Sequence, residues 1–174
     1  MFETLIIFST TDGQTKKICD QLINYSKNQN TIKILPLSKA FSENISSYQK
    51  IIIGASIRYG KHSTQLLEFT DLNSLVLNKK NSAFFSVNVV ARKKEKNTAL
   101  TNPYVKKFLK KTQWKPKKVA VFAGKVDYPN YRFFDKHIIR FIMWLTKGPT
   151  DISKTYEFTD WIEVKKFAEI INKM

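Results

Sequence analysis

Cysteine is almost missing from this sequence. Cys19 stands alone, so no internal disulfide can form and a reducing compartment is expected. No stretch reaches about 18 uninterrupted apolar residues, which argues against a helical membrane span. The opening Met1-Phe2-Glu3 runs straight into a strand-like segment without a basic n-region or cleavage site, so no signal peptide is expected. Glycine and proline are scarce, at 5 each, beside 43% hydrophobic and 13% aromatic residues, which excludes disordered, collagen-like and low-complexity classes. Acidic residues are also few: 14 against 30 Lys and Arg leave a formal charge of +16. Such a surplus calls for an anionic partner, whether nucleic acid, acidic lipid, or a phosphorylated or carboxylated ligand. HExxH, paired cysteines and a nucleophile–base set are all missing, so neither a metal site nor hydrolytic chemistry is expected.

What is present is an alternation of short apolar runs and longer amphipathic segments. The 174 residues suit one domain spanning 1–174. Buried strands are predicted at Thr4–Phe8 and Lys50–Gly54, an alternating strand at Thr31–Leu35, a β-rich run at Ser82–Val90 and a fifth strand at Val119–Ala123. Between them lie helices from about Gln14 to Lys27, around Leu66 and Phe69 to near Val76, and from Asn102-Pro103 onward, where proline suits the first helical position. A last helix, capped by Asp160 with Glu163 three residues on, aligns Trp161, Val164, Phe167 and Ile171. Strands separated by helices imply a parallel α/β sheet, doubly wound, with strand order 2-1-3-4-5 and ligands beyond the carboxyl ends of the strands. Between Gly124 and Thr159 lie 36 residues where a minimal connection needs about six. That is a long insertion after the fifth strand, about 125–158, placed where function is expected.

Three segments end at the predicted crevice. Ser9-Thr10-Thr11-Asp12-Gly13-Gln14-Thr15 puts three hydroxyls, a further serine and one glycine in a strand-to-helix turn, where free helix N–H groups attract phosphate. It reads as a phosphate cradle or as an ordinary helix start with Asp12 as N-cap; in either case the Asp12 side chain is expected to turn back onto helix N–H groups. Ser56-Ile57-Arg58-Tyr59-Gly60 and Ser86-Val87-Asn88-Val89 offer backbone groups, an amide and apolar faces suited to a flat redox ring, or are ordinary surface loops with one packed aromatic. His62 and His137 read as surface or satisfied histidines, and Cys19 as a packed thiol.

These segments, extended to Phe8–Thr15, Ile53–Gly60 and Phe85–Lys93, resemble one family, as do Asn102-Pro103-Tyr104, Gln113-Trp114, Tyr128–Arg132 and Thr159-Asp160-Trp161. It is the family of bacterial menaquinone-dependent protoporphyrinogen IX dehydrogenases, which are flavodoxin-like. The similarity spans essentially the whole chain, and the string Ile-Gly-Ala-Ser-Ile-Arg-Tyr-Gly is very specific. Thr10, Gly13 and Thr15 match the flavodoxin phosphate loop Thr-x-Thr-Gly-x-Thr, with Asp12 in place of its middle threonine. The resemblance implies non-covalent FMN and oxidation of protoporphyrinogen IX to protoporphyrin IX. It also implies electron delivery to menaquinone or ubiquinone, at the cytoplasmic face of the bacterial inner membrane. On it, Ser9 to Thr15 are expected at the FMN phosphate, and Ser56 to Gly60 with Ser86 to Val89 around the ring. Arg92, Tyr128, Tyr131 and Arg132 are candidates for substrate contact or a lid. No side chain is singled out as catalytic acid or base.

Two further features bear on partners. In Phe133–Leu145 nine of thirteen residues are apolar, with Lys136, Arg140 and Lys147 within or just beyond; this composition suits either an interfacial helix or one packed on the domain. Residues 79–118 hold 13 Lys and Arg against Glu95 alone, a solvated face or an attraction for anionic membrane. The competing functions are a flavodoxin-type electron carrier with no substrate of its own and a basic nucleic-acid-binding protein. The second lacks any helix-turn-helix, zinc, RRM or KH signature, so no nucleic acid is expected.

Overall fold

Apolar runs without alternation set the architecture. Leu5, Ile6 and Ile7 in β1 (Thr4–Ser9), Ile51 to Ile53 in β3 (Lys50–Ser56), and Ala83 to Phe85 in β4 (Asn81–Val87) are each at most 1% exposed. Strands buried on both faces read this way because helices cover both sides of a parallel sheet. The computed structural model describes residues 3–174; Met1 and Phe2, where the expected lack of a signal peptide was read, lie outside them.

β2 (Ile32–Pro36) and β5 (Lys118–Phe122) complete a parallel sheet of order β2-β1-β3-β4-β5, the order predicted. Helix α1 (Gln14–Asn24) and the last helix, α7 (Trp161–Asn172), cover one face with Ile18, Leu22, Val164 and Phe167. The other face is covered by α2 (Leu37–Ala40), α3 (Thr64–Leu72), α4 (Ser74–Lys79) and α5 (Pro103–Lys111), which bury Leu37, Leu66, Phe69, Leu77, Val105 and Phe108 around Trp114. The segment expected to be one helix to near Val76 is two, because Asn73 leaves helical geometry between them. α1 stops at Asn24, earlier than expected.

The insertion contains structure the sequence reading did not resolve. β6 (Lys125–Asp127) pairs antiparallel with β7 (Thr155–Glu157), and between them runs α6 (Phe133–Leu145). Val126, Tyr128 and Met143 form a small core there, with Val89, Ile139, Ile152 and Phe158 packed against it. Lys17 pairs with Glu157 at 2.9 Å, and the Gln14 amide donates to Glu157 and to Thr159 Oγ1, tying the insertion to the start of α1.

Candidate active site

The strand-to-helix turn after β1 leaves donors unused. The cap of α1 is Gly13, at φ 79°, with no side chain closing the helix amino terminus. This corrects the expected N-cap: Asp12 does not turn back onto the helix but accepts a hydrogen bond from the Tyr131 hydroxyl at 3.4 Å. A left-handed residue at 13 swings the preceding carboxylate outward, and burial raises its pKa despite the nearby Arg58 guanidinium. Thr10 Oγ1 and Thr15 Oγ1 are buried without any hydrogen-bond partner. Unsatisfied buried hydroxyls are costly, and here they stand beside open helix N–H groups carrying partial positive charge. The donor set therefore fits the phosphate of a mononucleotide.

A crevice of about 380 Å³ opens above this turn, within the range of small-molecule sites. Its wall includes Thr10, Thr11, Asp12, Gln14 and Thr15 from the first turn, Ser56 to Gly60 from the end of β3 onward, and Val87, Asn88, Val89 and Arg92 from the end of β4 onward. Tyr131 reaches it from the insertion. Three loops far apart in sequence thus converge because parallel strands all end on one edge of the sheet.

Behind the wall lies a buried polar chain. His62 Nε2 meets Ser86 Oγ at 3.0 Å, Asn88 donates to the same oxygen, and Asn88 Oδ1 accepts from Ala91 N–H and from the Asn102 amide. Asn102 Oδ1 in turn caps α5 by accepting from Tyr104 and Val105 N–H. This fixes the Asn88 side chain and sets Tyr104 on the crevice wall. His62 is buried between Phe84 and Phe108, and burial lowers its pKa to about 4, so it is neutral.

Some expected positions stand elsewhere. Ser9, Gly13, Ser86, Tyr128 and Arg132 are not on the wall. Ser86 serves the polar chain beneath, Gly13 contributes its turn, and Arg132 is the residue before α6. Tyr128 corrects an expected substrate contact: it is fully buried in the insertion and donates to Pro149 O at 2.9 Å, because the small core there needs its ring. Arg92 has a structural task as well, donating to Val89 O, Thr146 O and Thr146 Oγ1, which ties the end of α6 to the loop after β4.

The sequence reading missed the inner side of α6. Asp135, Ile138, Ile139, Ile142 and Met143 line the crevice, as do Gly124, Lys125 and Val126 below it. The isoleucines at helical spacing were a usable signal; Asp135, the single acid in a basic apolar helix, was another. Asp135 accepts from Arg58 Nη2 at 2.6 Å and from the Tyr59 hydroxyl. The outer side of α6 carries exposed Phe133, Phe134, Phe141, Trp144 and Leu145. Among the described residues, no helix is long and apolar enough to cross a membrane, and no three His, Cys, Asp or Glu side chains gather as metal ligands.

A doubly wound sheet of this order, with an uncapped, hydroxyl-rich turn after its first strand, defines a flavodoxin-like α/β protein. The fold is similar to that of a flavodoxin from the domain Archaea (TM-score 0.53, 14% identity, 98% of this chain and 96% of that one). It is equally similar to oxidised flavodoxin 1 from Bacillus cereus (TM-score 0.53, 15% identity, 98% and 97%). Residues 5–153 match the flavodoxin domain family. The chain is also 42% identical to "Protoporphyrinogen IX dehydrogenase [quinone]" from Escherichia coli K12, over 97% of this chain and 94% of that protein. It is 42% identical to the protein of the same name from Leishmania major, over 94% of this chain and 72% of that one. The chain belongs to the flavodoxin domain family and to the family of these protoporphyrinogen IX dehydrogenases. Membership of the former implies a flavin.

Proposed function

We propose that this protein oxidises protoporphyrinogen IX to protoporphyrin IX with a quinone as electron acceptor, using non-covalent FMN. The observation that carries this reading is the pair of unpartnered buried hydroxyls, Thr10 and Thr15, at an uncapped helix start on a crevice wall. They occur in a chain 42% identical to two quinone-dependent dehydrogenases of that substrate. When bound, FMN supplies the two-electron chemistry that links porphyrinogen to quinone.

The chain's own residues bind and orient. Thr10, Thr11, Gln14 and Thr15 with the α1 N–H groups hold the phosphate, Gly13 allowing their approach. Ser56 to Gly60 and Val87 to Val89 border the ring, with Asn88 held rigid from below by Ser86 and Asn102. Ile138, Ile139 and Ile142 of α6 give the crevice an apolar wall. Among the described residues Arg92 has no acidic partner. Its guanidinium suits a carboxylate of a dicarboxylic tetrapyrrole. The insertion and the sheet act together as one domain.

The acceptor, menaquinone or ubiquinone, is a lipid, which favours work at a membrane surface. The outer side of α6, rimmed by Arg132, Lys136, Arg140 and Lys147, suits an anionic bilayer, such as the cytoplasmic face of the bacterial inner membrane. The flavodoxin-type carrier reading is not favoured, because the relatives at 42% identity carry the dehydrogenase name, whereas the flavodoxins share only the fold at 14–15% identity.

The test is anaerobic mixing of FMN-loaded protein with protoporphyrinogen IX. The flavin absorbance should bleach as porphyrin fluorescence appears, and adding quinone should restore it. A flavin unaffected by the porphyrinogen would overturn the reading.

A further inference from the structure

The loop after β3 presents two donors to a single carboxylate. Arg58 Nη2 lies 2.6 Å from one oxygen of Asp135, and the Tyr59 hydroxyl donates to the other. Both donors come from adjacent residues, and the Arg58 guanidinium lies 5.1 Å from the centre of the Tyr59 ring, which keeps them side by side. The loop holds itself in this shape: Arg58 N–H donates to Lys61 O and Lys61 N–H to Arg58 O. Tyr59 adopts φ 49°, a left-handed conformation uncommon for an aromatic residue, and Gly60 follows at φ 74°. The loop backbone and the Arg58–Tyr59 contact thus hold the two donors side by side, facing Asp135.

What fills it is a residue with another position available. Asp135 lies in the first turn of α6, a helix whose start has no side-chain cap, so its carboxylate could serve the helix's own N–H groups. Instead it spends both oxygens across the crevice mouth, and all three side chains lie on the crevice wall. The other acid near Arg58, Asp12, is engaged by Tyr131. In a chain of +16 charge, an acid placed over one of the crevice's cations competes directly with any anion entering there.

We propose that Arg58 and Tyr59 form a receptor for a substrate carboxylate, and that Asp135 occupies it as an internal competitor until a dicarboxylic tetrapyrrole displaces it. The inference rests on the substrate class proposed above, and it gives the second carboxylate of that substrate a place beside the one assigned to Arg92. Displacing Asp135 also frees the first turn of α6 from the opposite wall, so carboxylate binding and opening of the crevice mouth are one event.

The experiment uses FMN-loaded protein in neutral detergent, titrated with protoporphyrin IX and, separately, with its dimethyl ester, followed by porphyrin fluorescence. Wild type should prefer the dicarboxylate. Asp135→Asn, which keeps the shape and removes the charge, should tighten dicarboxylate binding about three- to tenfold and leave the ester unchanged. Tyr59→Phe and Arg58→Gln should weaken the dicarboxylate about tenfold, again sparing the ester. Asp135→Glu should restore the competition, and amide exchange in the first turn of α6 should quicken with the dicarboxylate only. Weaker or unchanged dicarboxylate binding by Asp135→Asn would make Asp135 a structural strut and overturn the receptor. If Asp135→Asn fails to hold FMN, Tyr59→Phe decides alone, since that ring is 63% exposed and its hydroxyl does not support the core. Wild type that binds neither porphyrin while its flavin spectrum is intact would sink the substrate reading together with the receptor. Equal binding of acid and ester by every variant would sink the receptor alone.

Discussion

Gly54 lies directly beneath the ring of Phe85 on the neighbouring strand: a methyl group at Gly54 would stand 2.1 Å from Phe85 Cζ. The two residues are register partners, and Phe8 flanks Gly54 on the other side. Phe85 is fully buried, packed at a tilt against Phe122 and edge-on against Phe167, so it has little room to move. Gly54→Ala should therefore destabilise the fold by about 1–3 kcal/mol through overpacking. Urea unfolding with an unchanged midpoint would show that the ring shifts at no cost.

The unpartnered hydroxyls make an opposite pair of expectations for stability and binding. Thr15→Val removes a buried donor that the flavin-free protein leaves unsatisfied. Flavin-free protein should melt at the same temperature or higher, while FMN affinity falls about tenfold or more, as for a lost hydrogen bond to a charged group. Calorimetric titration with FMN checks the second part, and a thermal scan without it checks the first. An unchanged affinity would remove Thr15 from the phosphate site.

His62 gives the stability a pH dependence of known sign. Burial lowers its folded pKa to about 4, against 6.5 for a solvent-exposed imidazole in the unfolded chain. Between those values the unfolded state binds more protons, so stability is full above about pH 6.5 and declines as pH falls towards 4. The full loss is on the order of 3 kcal/mol. His62→Gln, which keeps a side-chain donor near Ser86, should flatten the profile in that window. An equally steep profile in the variant would assign the effect to other groups.

The outer side of α6 should bind membrane without serving chemistry. Replacing Phe134, Phe141 and Trp144 by serine removes rings that are 60% exposed or more and that do not line the crevice. Sedimentation with phosphatidylglycerol vesicles should be lost, FMN content should be retained, and added salt should weaken what binding the wild type shows. Retained vesicle binding by the triple variant would move the contact elsewhere.

Much of this could be read from residue order, and the reasons are local. Leu5–Ile7, Ile51–Ile53 and Ala83–Phe85 announced buried strands because a doubly covered strand has no polar face to show. Asn102-Pro103 and Asp160 with Glu163 announced helix starts because capping needs only neighbouring atoms, and both asparagine and aspartate accept from the expected N–H groups. The extended connection between β5 and α7 stood out by its length. Its hairpin of β6 and β7 did not, since three-residue strands carry too little periodicity. Asp12 defeated the capping rule because Gly13 is left-handed and aims the carboxylate at Tyr131, a residue 119 positions away.

Chain order alone determined the sheet, its strand sequence and the hydroxyl-rich turn, because hydrophobic pattern, crossover length and helix capping act over a few residues. Tertiary structure alone decided that Tyr128 belongs to the small core of the insertion, that one side of α6 lines the crevice while the other meets solvent, and that Asp135 spans to Arg58 and Tyr59. Those relations depend on where a helix in the insertion settles against three loops, and that is set by the packing of residues more than seventy positions apart in the chain.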